Sequence, residues 1–169
     1  GFALPLAWFS HIPLSIALAA ALLATALAAI NHRWRLLPAL EDVGRASIGT
    51  VAYGASITLL LGLFWPQRAD LVCAAVLTMA LGDGLAGLLG AHFPSRRWQL
   101  FGQTKSLLGT AVMAVVTLLV LLILLPQLPI YQLLAIAASA TLLEQFSWGG
   151  IDNFSVPLLV AAMAHWLGS

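Results

Sequence analysis

Charge is what this sequence has least of. Only 8% of its 169 residues are Asp, Glu, Lys or Arg, while 62% are hydrophobic and the mean hydropathy is +1.01. A soluble domain carries about a quarter charged residues to cover its surface, so a water-soluble globular protein is excluded. Cysteine is nearly absent. Cys73 stands alone, which rules out an internal disulfide and any multi-cysteine metal site, and it reads as a small packing residue in an apolar run. A net charge of +1 gives no pointer to nucleic acid. His11, His32, His92 and His165 are scattered without ligand spacing and are read as interfacial. There is no internal repeat and no low-complexity linker, so residues 1–169 are read as a single integral membrane domain. The chain opens on Gly1 rather than Met, and a missing native beginning is the expectation. No signal for oligomeric state is present.

What the chain has in abundance is apolar runs near the roughly 20 residues that cross about 30 Å of hydrocarbon. Six are expected: Leu4 to Ile30, Ile48 to Trp65, Leu71 to about Leu89, Ser106 to Leu125, Ile130 to about Phe146, and a short one from Phe154 to Leu167. The first is too long and too rich in Ala and Leu for a cleaved signal, so it counts as a span, with Pro5 and Pro13 tolerated near its start. The fold class that follows is all-α: a polytopic membrane protein with about six transmembrane helices in one bundle.

The cations orient it. Arg33, Arg35 and Arg45 fall in the first loop and Arg96, Arg97 and Lys105 in the third, whereas Arg68, offset by Asp70, is the only cation in the second and the fourth has none. By the positive-inside bias the odd loops are cytoplasmic and both termini face the other side. The fifth loop, with Glu144, Asp152 and Asn153, then shares a cytoplasmic face with the third. Ionisable groups from distant parts of the chain converge on one surface.

Leu81 to Thr110 carries the chemistry. Asp83, between Gly82 and Gly84, ends a long apolar run, where a carboxylate at mid-bilayer costs about 2.5–3.5 kcal/mol. The glycines let a helix or a phosphate come close. Hard carboxylate oxygens suit Mg²⁺, which bridges phosphates, so Asp83 is a candidate metal ligand. The plainer alternative is a buried acid paired with an arginine for helix assembly. Gly102-Gln103-Thr104-Lys105-Ser106 superficially resembles a phosphate loop but lacks the glycine directly before the lysine that a Walker A motif needs. Lys105 and Ser106 are expected to open the fourth helix, where free N–H groups favour anions, with Gly109 and Thr110 following. Lys105 is a candidate phosphate ligand, with Arg96 and Arg97 assisting; a cation reaching for the interface is the alternative, above all for the two arginines.

Asp83 also has to be compared with the CDP-alcohol phosphotransferase signature. The Ala-Arg continuation of that pattern is Gly87-Leu88 here and its two later aspartates are missing, so that family is rejected. Glu144 and Asp152-Asn153 supply further oxygen ligands, although Asp152, Asn153 or Ser155 could equally cap the last helix, with Pro157 in its first turn. Glu41, Arg45, Ser47, Gly49, Thr50 and Tyr53 form a polar cluster that, taken alone, reads as a solvated loop.

As an ordered set these residues match something. Asp83-Gly84 with Ala86 and Gly90, Phe101-Gly102, Lys105-Ser106 with Gly109-Thr110, Glu144, and Asp152-Asn153 with Pro157 resemble the phytol kinase and dolichol kinase family, polytopic CTP-dependent polyprenol kinases. The Glu41 to Tyr53 stretch resembles the phytol kinase branch and brings Arg45 in as a candidate nucleotide contact. The resemblance implies transfer of the γ-phosphate of CTP, with Mg²⁺, to a long-chain isoprenoid alcohol such as phytol or geranylgeraniol. Asp83, Lys105, Glu144 and Asp152 are then the catalytic candidates, and Asp83, Asp152 and Asn153 the metal ligands. The nucleotide would be held by Arg96, Arg97, Gly102, Lys105, Ser106, Gly109, Thr110 and Asn153. One departure stands out, since Leu107 and Leu108 occupy a segment where relatives often carry an acid. Two other functions compete. A CTP-dependent lipid cytidylyltransferase of phosphatidate type would release pyrophosphate, and a small ion-coupled transporter would use Asp83 and Glu144 without nucleotide.

Overall fold

The computed structural model describes residues 3–34 and 48–169. Glu41, Arg45 and Ser47, candidates from the sequence, lie outside the described residues. Among the described residues eight α-helices follow one another: α1 (Ala3–Phe9), α2 (Leu14–Trp34), α3 (Gly49–Phe64), α4 (Ala69–Leu77), α5 (Gly84–His92), α6 (Leu107–Leu124), α7 (Ile130–Phe146) and α8 (Asp152–Leu167). Between α4 and α5 the helix widens into a π-helical segment, Thr78–Asp83, without breaking.

The protein is mainly helical and of membrane type. Among the described residues three helices are long and apolar enough to cross a bilayer: Leu14–Trp34, Ala69–His92 and Leu107–Leu124. The expectation of six such helices is corrected. Gly49–Phe64 and Ile130–Phe146 are apolar but have 16 and 17 residues, and Asp152–Leu167 has 16. At 1.5 Å per residue these reach about 24–26 Å, short of the hydrocarbon thickness.

The first apolar run is also not one helix. It breaks between Phe9 and Leu14, where His11 adopts a left-handed φ of 51° and Pro13 restricts the residue before it. The 91–104 segment departs further from an all-helical reading. It holds an antiparallel hairpin, β1 (Arg97–Leu100) and β2 (Gln103–Ser106), in register Trp98↔Lys105 and Leu100↔Gln103. Lys105 therefore sits in a strand instead of opening a helix, while Ser106 ends that strand and caps α6.

The bundle is built around α4. Leu71 to Val76 are all wholly buried, as expected of a helix enclosed on every side. Leu60 and Leu61 of α3, Met113 and Leu121 of α6, Ile136 of α7 and Val160 of α8 complete the core. By contrast α2 is peripheral, with Leu22, Leu23 and Leu27 exposed, and it meets α3 where a Cβ on Gly54 would lie 2.5 Å from the Thr25 hydroxyl. Small residues set the α5–α6 distance too. A Cβ on Gly109 would come within 3.1 Å of the Ala86 carbonyl, so the two backbones touch there.

These packings put the C-terminal ends of α5 and α7, the N-terminal ends of α6 and α8, and the hairpin around one cavity at one end of the bundle. The start of α3 belongs there as well, since the Ile48 N–H donates to the Gly149 carbonyl at 3.2 Å.

Candidate active site

Lys105 leaves β2 and turns inward, and only 9% of it is exposed. Its ammonium donates to the Glu144 carbonyl at 3.0 Å and makes an ion pair with the Glu144 carboxylate. A lysine buried this deeply is tolerable only when paired, and Glu144, itself 7% exposed, supplies the partner. Glu144 lies in the last turn of α7, and Asp152 starts α8 after the turn through Gly149 and Gly150, both with positive φ. Asp83 arrives from the other side, on the last residue of the π-helical turn. Carboxylate oxygens of Asp83, Glu144 and Asp152 all lie within 4.8 Å of one another. Three acids so close repel one another unless cations intervene. Hard oxygen donors in this number fit a divalent cation such as Mg²⁺, and Lys105 balances part of their charge.

The cavity above these groups encloses about 740 Å³. Asp83, Lys105, Ser106, Glu144, Asp152 and Asn153 line it, and so do Gly102, Gly109, Thr110 and Arg97. Of the catalytic, metal and nucleotide candidates named above that fall among the described residues, Arg96 alone is absent from its wall; Gly49, Thr50 and Tyr53 of the first-loop cluster do not line it either. The place of Arg96 before β1 is structural: its carbonyl accepts from the Leu107 N–H at 2.9 Å, fastening the hairpin to α6. Arg97 donates to the carbonyls of Gly90 (3.1 Å) and Ala91 (3.0 Å) at the C-terminal end of α5, where a cation is favoured.

The expected anion site at the start of α6 is correspondingly changed. Ser106 is the N-cap, and its hydroxyl accepts from the Gly109 N–H at 3.0 Å, while the Leu107 N–H is already taken by Arg96. Two of the free donors on which that site depended are spent. Asp152 and Ser155 do not cap α8 either. The Asp152 carboxylate accepts from the neighbouring Asn153 N–H at 3.0 Å, and the Ser155 hydroxyl donates back to the Ile151 carbonyl. Pro157 stands in the second turn of α8 instead of the first.

Gln145 was missed by the sequence reading. Its side-chain NH₂ donates to the second Glu144 oxygen at 2.7 Å and to the Thr110 hydroxyl at 3.0 Å. Thr110 in turn donates to the Ser106 carbonyl. The Glu144 carboxylate is thus held from both sides, by Lys105 and by Gln145. The Gln145 side-chain oxygen is buried with no hydrogen-bond partner, on a residue that lines the cavity. Nothing in the sequence marks it, because a glutamine at a helix end is an ordinary residue to find facing water.

Along 171 aligned residues the chain is 38% identical to phytol kinase from Synechocystis sp., covering 97% of its own length and 73% of that protein. No protein-family model and no solved structure matches it.

Proposed function

The chain belongs to the phytol kinase family and is a phosphotransferase with an alcohol acceptor; from this we propose that it transfers the γ-phosphate of CTP to a long-chain isoprenoid alcohol of the phytol or geranylgeraniol type. The observation that carries the reading is the buried Lys105 set against three clustered carboxylates, beneath a cavity large enough for a nucleotide. Phosphoryl transfer asks a protein mainly to position the reactants and offset charge, and this site contains the groups for both.

In this proposal Asp83 and Asp152, with Asn153 next in the chain, would hold Mg²⁺. When bound, the ion neutralises phosphate charge. Glu144 orients the alcohol and accepts its proton as the new P–O bond forms and the bond to the β-phosphate oxygen breaks. Lys105 offsets charge on the transferred group, and Arg97 lies at the wall toward the nucleotide. Gln145 keeps the Glu144 carboxylate in one orientation. The apolar tail enters sideways from lipid between helices, while the nucleotide comes from water. On this reading the shorter helices α3, α7 and α8 cross as well, each where the bilayer thins to match its 16 or 17 residues. That gives six crossings, with the active face cytoplasmic by the cation bias of the first and third loops.

The test offers purified protein several nucleoside triphosphates with phytol, geranylgeraniol, farnesol and a longer polyprenol, with and without Mg²⁺, and follows γ-label. Label in the lipid with release of CDP is expected. Pyrophosphate release with the cytidylyl group on the lipid would replace the kinase by a cytidylyltransferase.

A further inference from the structure

The tip of the hairpin has an unusual residue. The two-residue turn between β1 and β2 is Phe101-Gly102, with φ of 49° and 74°. Positive φ at both positions is the pattern of the tight hairpin turn that Asn-Gly normally supplies. Glycine fits the second place. A phenylalanine at the first is strained, because its Cβ crowds the backbone in the left-handed region, and such strain concentrates at functional sites.

The strain has a visible result. The Phe101 ring meets Trp148, in the turn between α7 and α8, at a centroid distance of 5.8 Å and an angle of 47°. That is attractive aromatic geometry, yet the two residues remain 60% and 56% exposed. Phe101 lines the cavity directly, and Trp148 precedes Gly149 and Gly150, which also line it. The pair therefore bridges the two segments that bound the mouth.

Its position relative to Lys105 matters. From Lys105 to the turn at Gly102 is three residues along β2, roughly 10 Å at about 3.3 Å per residue, and Phe101 lies beside Gly102 at that same tip. A triphosphate whose end lies at Lys105 and the carboxylates would, when extended, bring its sugar and base up to the hairpin tip. The hairpin stands outside the two long apolar helices that flank it in the chain; Trp98 and Leu100 of β1 are half-buried, while Gln99 and Thr104 are exposed and Gln103 half-buried. A flat, polar-edged ring arriving from water suits that place better than a hydrocarbon tail arriving from lipid.

We propose that Phe101 and Trp148 form the platform on which the nucleobase of the donor nucleotide stacks, which rests on the kinase reading of the cavity. Stacking is tolerant of base identity because every base has a π-face, so the platform contributes affinity while selectivity for one base comes from polar groups around it.

The test compares binding of CTP and of inorganic tripolyphosphate, which has no base, to purified detergent-solubilised protein, alongside steady-state kinetics. Wild type is expected to bind CTP about ten- to a hundredfold more tightly than tripolyphosphate. Trp148→Ala and Phe101→Asn should remove most of that advantage without changing tripolyphosphate affinity, and Trp148→Phe should keep much of it. Asparagine tolerates left-handed φ, so Phe101→Asn removes the ring while preserving the turn. Unchanged CTP affinity in both ring-deleting variants overturns the proposal, as does a raised KM for the alcohol alone, which would assign the rings to the isoprenoid or to membrane anchoring. If wild type binds tripolyphosphate as well as CTP, the platform is also refuted. If it binds neither, the kinase reading falls with it.

Discussion

Lys105 donates to both the carbonyl and the carboxylate of Glu144, 39 residues further along the chain, and both side chains are only 10% exposed. This contact ties the hairpin to the end of α7 and makes the site's central cation part of the fold. Removing one partner of a buried pair leaves the other charge uncompensated, at a cost of about 3–5 kcal/mol. Lys105→Met should therefore lose both turnover and stability, seen as a lower melting temperature. The double variant Lys105→Met/Glu144→Gln should recover much of the melting temperature and none of the activity. A Lys105→Met protein that melts like wild type would show that the pair contributes nothing to folding.

For Asp83 and Asp152 stability and turnover should separate. Their carboxylates crowd each other and Glu144 within 4.8 Å, so neutralising one relieves repulsion. In a chelating buffer Asp83→Asn and Asp152→Asn should melt at least as high as wild type. Turnover should drop about a hundredfold or more, the scale of losing one transition-state charge partner, and the Mg²⁺ needed for residual activity should rise. Normal turnover in either variant removes that residue from the metal role.

Gln145 offers a test of positioning against packing. Methionine matches it in length and fills its space but cannot donate to Glu144 or Thr110. Gln145→Met should lower kcat about tenfold or more while leaving the KM for nucleotide within a few fold, since the lost hydrogen bond orients Glu144 and does not touch phosphate. If Gln145→Met has wild-type kcat, the residue only fills space.

The membrane character, the last three apolar runs and the set Asp83, Lys105, Glu144 and Asp152 were legible because they rest on strong local signals. Apolar length, an acid where none belongs, and an isolated lysine can each be seen without knowing the partner. The pairing of Lys105 with Glu144 was not legible, because no local pattern links residues so far apart. The hairpin was hidden by its turn: Phe-Gly lacks the small polar residue that announces a two-residue turn, and its strands have four residues each. The π-helical turn that delivers Asp83 has no sequence mark at all. Reading Lys105-Ser106 as the start of a helix followed from the apolar run behind them. That run does begin at Leu107, one residue after the N-cap. Arg96 and Arg97 looked equivalent as a pair, yet only Arg97 reaches the cavity, while Arg96 serves through its backbone.

The α5–α6 contact and the interior of α6 respond in opposite senses to one added or exchanged group. At Gly109 an added Cβ would meet the Ser106 hydroxyl at 2.9 Å and the Ala86 carbonyl at 3.1 Å. The second is backbone and cannot rotate away. Gly109→Ala must then push α5 and α6 apart or disturb the Ser106 cap, and overpacking of this kind costs about 1–3 kcal/mol. Two turns deeper, Thr117 is wholly buried and its hydroxyl has no partner. Valine has nearly the same shape without the stranded polar atom, whose burial costs about 1–3 kcal/mol. Thr117→Val should thus raise the melting temperature in detergent while Gly109→Ala lowers it. Gly109→Ala should also reduce activity, because Ser106 and Lys105 move with the cap, whereas Thr117→Val should leave kcat near wild type. A melting temperature lowered by Thr117→Val would mean that its hydroxyl is satisfied in the membrane by a partner such as a buried water.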